Sequence, residues 1–345
     1  MADDGATALV DALRELGVEL AFGLPGVHNL PVWEACAEAG IRLVGVRHEQ
    51  AAAYAADGYA RATGRLGVAV VTTGPGAANT LGATGEAMTS GAPVLVIATD
   101  IPSTLRRPGV YRGVLHETRD QAAMFAPVTK EATTTAAAAD LYAEVLEAGR
   151  AALRAPTGPV YLGVPTDLLS AAVTRRTPVE AQPPGPPEAD LDAALALVAR
   201  AERPLLWVGG GAVRAGAGDA VGRSPSGSPH RSSPPTTAAV CSRPITPAWR
   251  RASPTSRSSA LWDEADLVIA IGSDLDGMTT QNWRMPQPPA LLAINVDAAD
   301  AAKNYRPDHV LVGDARSVTE RLAAASRSGT GWTCSRCRRG RCARR

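Results

Sequence analysis

IRLVGVRHEQAAAYAADGYARATG, residues 41–64, joins two sequence patterns. A short apolar run bounded by glycine is followed by an alanine- and tyrosine-rich run with helical spacing, which predicts a strand, a turn and a helix. Glu49 comes at the carboxyl end of the predicted strand. Ligands of an open parallel sheet bind outside the strand carboxyl ends, although a glutamate in a first helical turn also complements the helix dipole.

The same alternation of helical and strand patterns extends over most of the chain. In the first half, strands are predicted at residues 19–23, 42–46, 67–72, 94–99 and 160–164, and helices at residues 6–16, 30–39, 50–63, 77–90 and 141–153. A second unit begins with a helix and is predicted to contain strands at residues 204–208, 267–271, 290–296 and 309–312. This order predicts an α/β fold, in which a doubly wound parallel sheet is followed by a second, damaged Rossmann-like α/β domain.

Composition shifts divide the chain into segments. We expect a first domain over residues 1–170, a proline-rich linker over 171–190 and a central domain over 191–325. Residues 222–259 interrupt that domain with Ser, Pro, Thr and Arg. A disordered insertion would explain the composition. Our hypothesis is instead a frameshift restored near residue 260, because a GC-rich gene read out of frame gives such residues. The basic tail, residues 326–345, has the same texture and is expected to be disordered.

Overall composition argues against several classes of protein. The chain has 345 residues, 45% of them hydrophobic, and a formal net charge of +1, so no global field favours nucleic acid or an anionic membrane. The amino terminus lacks the basic start of a signal peptide, and no stretch has membrane-spanning length. We therefore expect a cytoplasmic protein. Cys334, Cys337 and Cys342 lack a fourth ligand, so no metal site is predicted.

Two further strand ends carry turn residues. TTGPGAAN, residues 72–79, has glycines that let the backbone approach a ligand closely, and free amides at a helix start favour polar groups. FGLPGVHNLP, residues 22–31, places Gly26 and His28 after another strand. A tight turn or an exposed histidine would explain each run alone. Together with Glu49, however, three successive strand ends converge on one edge of the sheet.

These runs carry a family resemblance. FGLPG, RHEQAAAYAADGYARATG and TTGPGAAN together resemble the amino-terminal pyrimidine-binding domain of thiamine diphosphate enzymes of the acetolactate synthase superfamily. RPLLWVGGGAV, DLVIAIGSDLDG and LLAINVDAADAAKNYRPDHVLVGDA resemble the central domain of that superfamily. The resemblance covers residues 4–170, 200–221 and 260–325. It implies a decarboxylase or carboligase that acts on a 2-oxo acid and forms a homodimer or homotetramer.

The resemblance also implies roles for individual residues. Glu49 would hydrogen-bond the ring nitrogen of the cofactor's aminopyrimidine and promote the imino tautomer, which activates the thiazolium carbon. His28 and His116 would lie near the reacting centre as further catalytic residues. The residues implied to bind the cofactor are Gly26, Gly74, Pro75, Gly76 and Asn79.

The sequence departs from the family in two places. Acetolactate synthases usually carry Phe-Gln-Glu where this chain has Leu115, His116 and Glu117, with Gln121 near but out of register, so pyruvate is not the expected substrate. The family also binds magnesium and diphosphate in a third, carboxyl-terminal domain through a Gly-Asp-Gly motif that this sequence lacks in a suitable context. We therefore expect a truncated chain that is inactive as given, without the magnesium site.

Two other interpretations stay open. One is a non-catalytic, dimerising remnant of such an enzyme. The other is an FAD- or NAD-binding oxidoreductase, suggested by Gly209, Gly210 and Gly211 after a predicted strand. The spacing does not form GxGxxG, and no acidic residue follows at the expected interval. Some superfamily members hold FAD in the central domain, which keeps FAD as an alternative cofactor.

Overall fold

The computed structural model describes residues 4–107, 109–174, 191–222, 238–241 and 256–328, in two compact units, Met1–Gln182 and Pro183–Arg345. Helices of the first unit are α1 (Gly5–Glu15), α2 (Leu30–Glu38), α3 (Glu49–Thr63), α4 (Pro75–Ala78), α5 (Leu81–Ser90), α6 (Gln121–Phe125), α7 (Leu141–Leu153) and α8 (Thr166–Leu169). Its strands are β1 (Leu20–Gly23), β2 (Arg42–Gly45), β3 (Gly67–Val71), β4 (Val94–Asp100), β5 (Glu131–Thr134) and β6 (Val160–Pro165).

The second unit is described by the same kinds of element. Its helices are α9 (Leu191–Arg200), α10 (Gly210–Arg214), α11 (Gly218–Gly222), α12 (Ser256–Glu264), α13 (Ala298–Ala302) and α14 (Ala315–Ser328). Its strands are β7 (Pro204–Val208), β8 (Ala238–Cys241), β9 (Leu267–Ile271), β10 (Leu291–Asn295) and β11 (His309–Val312). Among the described residues, no helix is long and apolar enough to cross a membrane.

The first sheet has six parallel strands in the order β2-β1-β3-β4-β6-β5. The chain passes outward from β1 to β2 and then returns to place β3 on the other side of β1. The loops after β1 and β3 consequently leave the sheet in different directions. Such a reversal of strand order creates the crevice in which ligands of doubly wound proteins bind. The predicted α/β class and parallel sheet are confirmed.

Hydrophobic cores cover both faces of this sheet. Val68 and Val70 belong to a core that includes buried residues of α1, α2 and α7, whereas Ala69 and Val71 belong to one that includes α3 and α5. Successive strand residues point to opposite faces, so a strand buried on both faces must be apolar throughout. This requirement explains the apolar runs over all of β3 and over residues 94–98 of β4, all of which are buried.

Helix α3 packs closely on the sheet because its inner face is made of small residues. These buried residues are Ala52, Ala53, Ala56 and Ala60. The approach is tight enough that a Cβ atom on Gly67 of β3 would lie 2.1 Å from the carbonyl oxygen of Ala56. His48 caps the helix, its Nδ1 accepting from the backbone N–H of Gln50 at 3.2 Å. Glu49 is therefore the first residue of a helix fixed against the sheet.

The second sheet has five parallel strands in the order β11-β10-β9-β7-β8. Its strand order reverses between β7 and β9, as in the first unit. Strand β8 lies inside residues 222–259 and pairs with β7, and α12 begins at Ser256. The described part of this segment thus includes regular structure, and the frameshift hypothesis stays a prediction.

Some elements differ from those that the sequence patterns predict. The helix expected over residues 77–90 is two helices, α4 and α5, and the expectation missed α6 and the short polar strand β5. The two units divide at residue 182, inside the predicted linker. Residues 175–190 of that linker and 329–345 of the tail lie outside the described residues, as do Cys334, Cys337 and Cys342. Helix α14 includes the first residues of the predicted tail.

Candidate active site

Glu49 is buried at the carboxyl edge of the first sheet, with 8% of its surface exposed. The Nδ2 group of Asn79, in the turn after β3, donates a hydrogen bond to Glu49 Oε2 at 2.9 Å. Among the described residues, Glu49 Oε1 has no hydrogen-bond partner. One carboxylate oxygen is thus held in place, and the other is available to a ligand.

Two glycines pack tightly against Thr72, and one of them adjoins this carboxylate. A Cβ atom on Gly76 would lie 2.6 Å from Thr72 Cγ2 and 3.3 Å from Glu49 Oε1. A Cβ atom on Gly26, in the loop after β1, would lie 2.8 Å from Thr72 Oγ1. Thr72 therefore separates the two loops, and a side chain at either glycine would displace it. The Gly26 N–H is bonded to Asn29 Oδ1 at 2.8 Å, so Gly26 permits the close packing of the loop and does not offer a free donor.

The expected free amides of the turn after β3 are not found at its first three positions. The Gly74 N–H donates to Gln121 Oε1 at 2.6 Å, Pro75 has no N–H, and the Gly76 N–H donates to Thr73 O at 3.3 Å. A buried side chain and the turn itself thus use the donors at these three positions, and the expectation of free amides at the helix start near residue 77 stays a prediction.

The predicted residue His116 reaches the site through its backbone. A Cβ atom on Gly74, which has a φ of +61°, would lie 2.2 Å from the His116 carbonyl oxygen. His116 itself has a φ of +63°, a conformation that non-glycine residues adopt rarely and at some cost. Glu117 accepts from the N–H groups of Arg112 and Val114, so its carboxylate folds onto its own loop.

His28 and His116 form a pair. Their ring centroids are 5.9 Å apart and the planes meet at 86°. His28 Nδ1 is buried without a hydrogen-bond partner among the described residues, whereas His116 is exposed. Burial, and then repulsion from His116, lowers the pKa of His28. Thr166 Oγ1 donates to the His28 carbonyl oxygen at 2.9 Å and fixes the loop that carries it.

Gln121 is a buried residue of the site to which the sequence analysis gave no role. It is 1% exposed, and its side chain joins the Gly74 N–H to the Thr99 carbonyl and the Tyr161 hydroxyl. The sequence contained only a weak signal for it, a polar residue near the Leu115-His116-Glu117 run. No single strand end indicates a side chain that bridges β4, β6 and the turn after β3.

A buried carboxylate with a partly exposed counter-ion lies at the end of β4. Asp100 is fully buried, accepts from the Ile101 N–H at 2.7 Å and pairs with the guanidinium of Arg106. Breaking such a pair would leave a carboxylate buried without its counter-ion, which is strongly destabilising. Asp167 accepts from the N–H and hydroxyl of Ser103 and anchors the start of the same loop.

The structure brings the eight predicted site residues together. Glu49 contacts Asn79 and faces Gly76, and Gly26 adjoins the same group through Thr72. At the other end of the turn, Gly74 meets His116, and His116 packs against His28. Pro75 links the two halves as the first residue of α4. This connected set lies where the strand order reverses.

The glycine turn after β7 in the second unit has a packing role. Gly209 N–H donates to Ile271 O at 2.9 Å, and Gly211 N–H donates to Gly272 O at 2.8 Å. A Cβ atom on Gly209 would lie 2.3 Å from that Gly272 oxygen. Close approach of the β7 and β9 loops therefore requires these glycines, whether or not the turn binds a dinucleotide.

Two regions of the chain match known protein families. Residues 3–124 match the thiamine pyrophosphate enzyme, N-terminal TPP binding domain, and residues 248–322 match the thiamine pyrophosphate enzyme, central domain. Thiamine pyrophosphate is another name for thiamine diphosphate. The second match begins inside residues 222–259, upstream of residue 260, where the sequence pattern resumes.

Individual relatives extend this similarity. A probable 2-ketoarginine decarboxylase of Pseudomonas aeruginosa is 34% identical over 327 residues, which are 91% of this chain and 56% of that protein. An acetolactate synthase large subunit of Parasynechococcus marenigrum is 33% identical, with coverages of 90% and 52%. A probable acetolactate synthase large subunit of Methanocaldococcus jannaschii is 30% identical, with coverages of 93% and 56%. The chain spans about half the length of the curated relatives it matches.

Proposed function

Since the chain belongs to the thiamine pyrophosphate enzyme family, we propose that Glu49 and the turn at residues 74–79 hold the aminopyrimidine of thiamine diphosphate. The proposed activity is decarboxylation of a 2-oxo acid, with or without carboligation to a second carbonyl compound. One observation carries the proposal: Asn79 fixes one oxygen of a buried glutamate and leaves the other without a partner among the described residues.

The residues present fit the aminopyrimidine. A buried carboxylate with one open oxygen can exchange a proton with a ring nitrogen, and exclusion of water strengthens that bond. Because a Cβ atom on Gly76 would lie 3.3 Å from Glu49 Oε1, the glycine leaves that oxygen uncovered on this side. When bound, the cofactor supplies a carbon nucleophile and an electron sink for the decarboxylation. The proposal concerns the pyrimidine end of the cofactor. Magnesium binding is proposed for the whole protein and is not assigned to these residues.

Four side chains of the site have definite roles in this proposal. Glu49 holds a proton at Oε1 and passes it to or from the ring nitrogen, while Asn79 prevents rotation of the carboxylate. His28 and His116 contact the reacting end of the substrate. A lowered pKa keeps His28 neutral near pH 7, so that it can accept as well as donate a hydrogen bond.

The proposed substrate is a 2-oxo acid other than pyruvate. His116 stands where acetolactate synthases usually carry glutamine, and one relative is named a 2-ketoarginine decarboxylase. Assembly into a homodimer or homotetramer is part of the same proposal. FAD in the second unit stays an alternative, since the Gly209 and Gly211 amides are already bonded to the β9 loop.

Titration with thiamine, which carries the aminopyrimidine without the diphosphate, tests the proposed role of Glu49. We expect thiamine to shift the backbone amide resonances of Gly76 and Asn79 in the 345-residue chain. Glu49→Gln should weaken binding at least about tenfold, because an amide cannot exchange the proton. Glu38→Gln, at an exposed position on α2, should bind like the wild type. Equal binding by Glu49→Gln and the wild type would contradict the proposal.

Turnover separates an enzyme from a non-catalytic remnant. Carbon dioxide release would be followed with thiamine diphosphate, Mg²⁺ and a panel of 2-oxo acids from pyruvate to 2-ketoarginine. Our expectation that the chain is inactive as given stays a prediction, and any turnover that Glu49→Gln abolishes would refute both it and the remnant interpretation. A preference for pyruvate in that turnover would contradict the proposed substrate class.

A further inference from the structure

We propose that Gln121 is a positioning residue that sets the turn at residues 74–79 so that Asn79 meets Glu49. The inference rests on the proposed function of this site, because its consequence is the placement of a glutamate for cofactor binding. It assigns a role to a residue that the sequence interpretation set aside as out of register.

All of the strong hydrogen-bonding groups of the Gln121 amide are used. Its Oε1 accepts from Gly74 N at 2.6 Å, and its Nε2 donates to Thr99 O at 2.9 Å and to Tyr161 Oη at 2.7 Å. Rotation of the amide by 180° would place its NH2 group against the Gly74 N–H, and the hydrogen bonds to Thr99 O and Tyr161 Oη would be lost. The bond to Gly74 is therefore fixed in direction by the other two.

The anchor of Gln121 is rigid. Tyr161 is buried in β6, and its ring stacks on Phe125 with centroids 3.9 Å apart and planes inclined by 13°. Thr99 lies in β4, where its hydroxyl also accepts from Thr73 Oγ1 at 3.0 Å. Two interior strands thus hold Gln121, and Gln121 holds the turn.

The turn transmits the position of Gly74 to Asn79. Gly74 has φ +61° and ψ −108°, outside the favoured regions for other residues, and Pro75 after it has no N–H. The bond from Gln121 fixes Gly74 itself from outside the turn, next to the Thr73–Thr99 hydroxyl bond. One helical turn follows, in which Ala78 N bonds to Gly74 O at 2.9 Å and Asn79 N to Pro75 O at 3.0 Å. A shift of Gly74 therefore moves Asn79 relative to Glu49.

The test compares Gln121→Leu with Val145→Ala in the full chain. Val145 is buried on the opposite face of the sheet, so its truncation destabilises the same unit without touching the site. For Gln121→Leu we expect at least about tenfold faster hydrogen exchange at the Gly74 amide without ligand, and at least tenfold weaker thiamine binding. Val145→Ala should change neither quantity more than about threefold at a comparable loss of melting temperature. Gln121→Asn, one methylene shorter, is subject to the same thresholds if Gln121→Leu does not fold.

The outcomes distinguish this inference from the proposed function. Gly74 exchange within threefold of the wild type in the Gln121 variants would overturn the positioning role. So would unchanged thiamine affinity in those variants while Glu49→Gln binds weakly. Equal affinity of the wild type and Glu49→Gln would refute the proposed function and, with it, the positioning role. Equal effects of Val145→Ala and Gln121→Leu on both readouts would reduce Gln121 to a structural residue.

Discussion

Asn79 Nδ2 and Glu49 Oε2 are joined by a 2.9 Å hydrogen bond, although the two residues are 30 positions apart in sequence. The bond connects the first residue of α3 with the turn after β3. It therefore spans the edge of the sheet at which the strand order reverses, which is where a doubly wound fold binds its ligands. Its effect is to orient a buried carboxylate.

Asn79→Ala should weaken thiamine binding more than it weakens the fold. Asn79 is an exposed residue, so losing its bond should lower the free energy of unfolding by only about 1 kcal/mol. The freed carboxylate would rotate, and we expect thiamine affinity to fall about tenfold. Urea unfolding and thiamine titration measure the two effects. Asn79→Asp, which places a second carboxylate beside Glu49, should bind still more weakly; affinity equal to the wild type in both variants would contradict the role of Asn79.

Gly76→Ala should disturb the site sterically. The new Cβ atom would lie 2.6 Å from Thr72 Cγ2, so Thr72 or the turn must move, and we expect a loss of about 1–3 kcal/mol in the free energy of unfolding. Gly58→Ala is the matched control. Gly58 is exposed within α3 and has no atom within 4 Å of its Cβ position, so alanine should stabilise the helix by about 0.5–1 kcal/mol. A neutral or stabilising Gly76→Ala would show that the turn has free space there.

Strand ends were predictable from this sequence because apolar runs and Gly/Pro turns are local patterns. Parallel strands place their carboxyl ends at one edge, so Glu49, His28 and the turn at residues 74–79 could be assigned to one site before the structure was known. The family motifs then indicated thiamine diphosphate as the cofactor. Element boundaries within these motifs were also close, as in α3, which begins one residue before the prediction.

The remaining features depend on contacts between distant segments. Gln121 bonds to Gly74, 47 positions away, and no local pattern shows which buried polar groups need a partner. The short strand β5 reads EATT and pairs with β6, so tertiary pairing outweighs its weak apolar signal. The sequence of the turn does not show that the Gly74 amide is bonded, because its partner is the first residue of α6.

His28 should titrate below the ordinary histidine pKa of about 6.5. Burial disfavours its charged form most, and repulsion from His116 adds to the effect. As the pH falls below about 6.5, His28 binds a proton in the unfolded chain before it does so in the folded chain. The free energy of unfolding therefore decreases progressively until the pH is below the pKa of His28 in the folded chain. NMR titration of the His28 Cε1 proton measures the shift. In His116→Gln the pKa should rise while staying below its ordinary value; no change would contradict the pairing.

Gly272→Ala should destabilise the second unit strongly. Gly272 has a φ of +57°, and its Cβ atom would lie 2.3 Å from the backbone nitrogen of Ala212, so alanine would separate the β7 and β9 loops. Backbone cannot yield as a flexible side chain can, and we expect a loss of at least about 2 kcal/mol in the free energy of unfolding of that unit. Gly210→Ala is the control, because the nearest atoms to its Cβ position belong to the flexible Arg214 side chain, at 3.4 Å or more. Urea unfolding followed by tryptophan fluorescence, with Trp207 and Trp262 in the unit's core, reports the difference. Equal stability of the two variants would show that the glycine turn is not needed for packing.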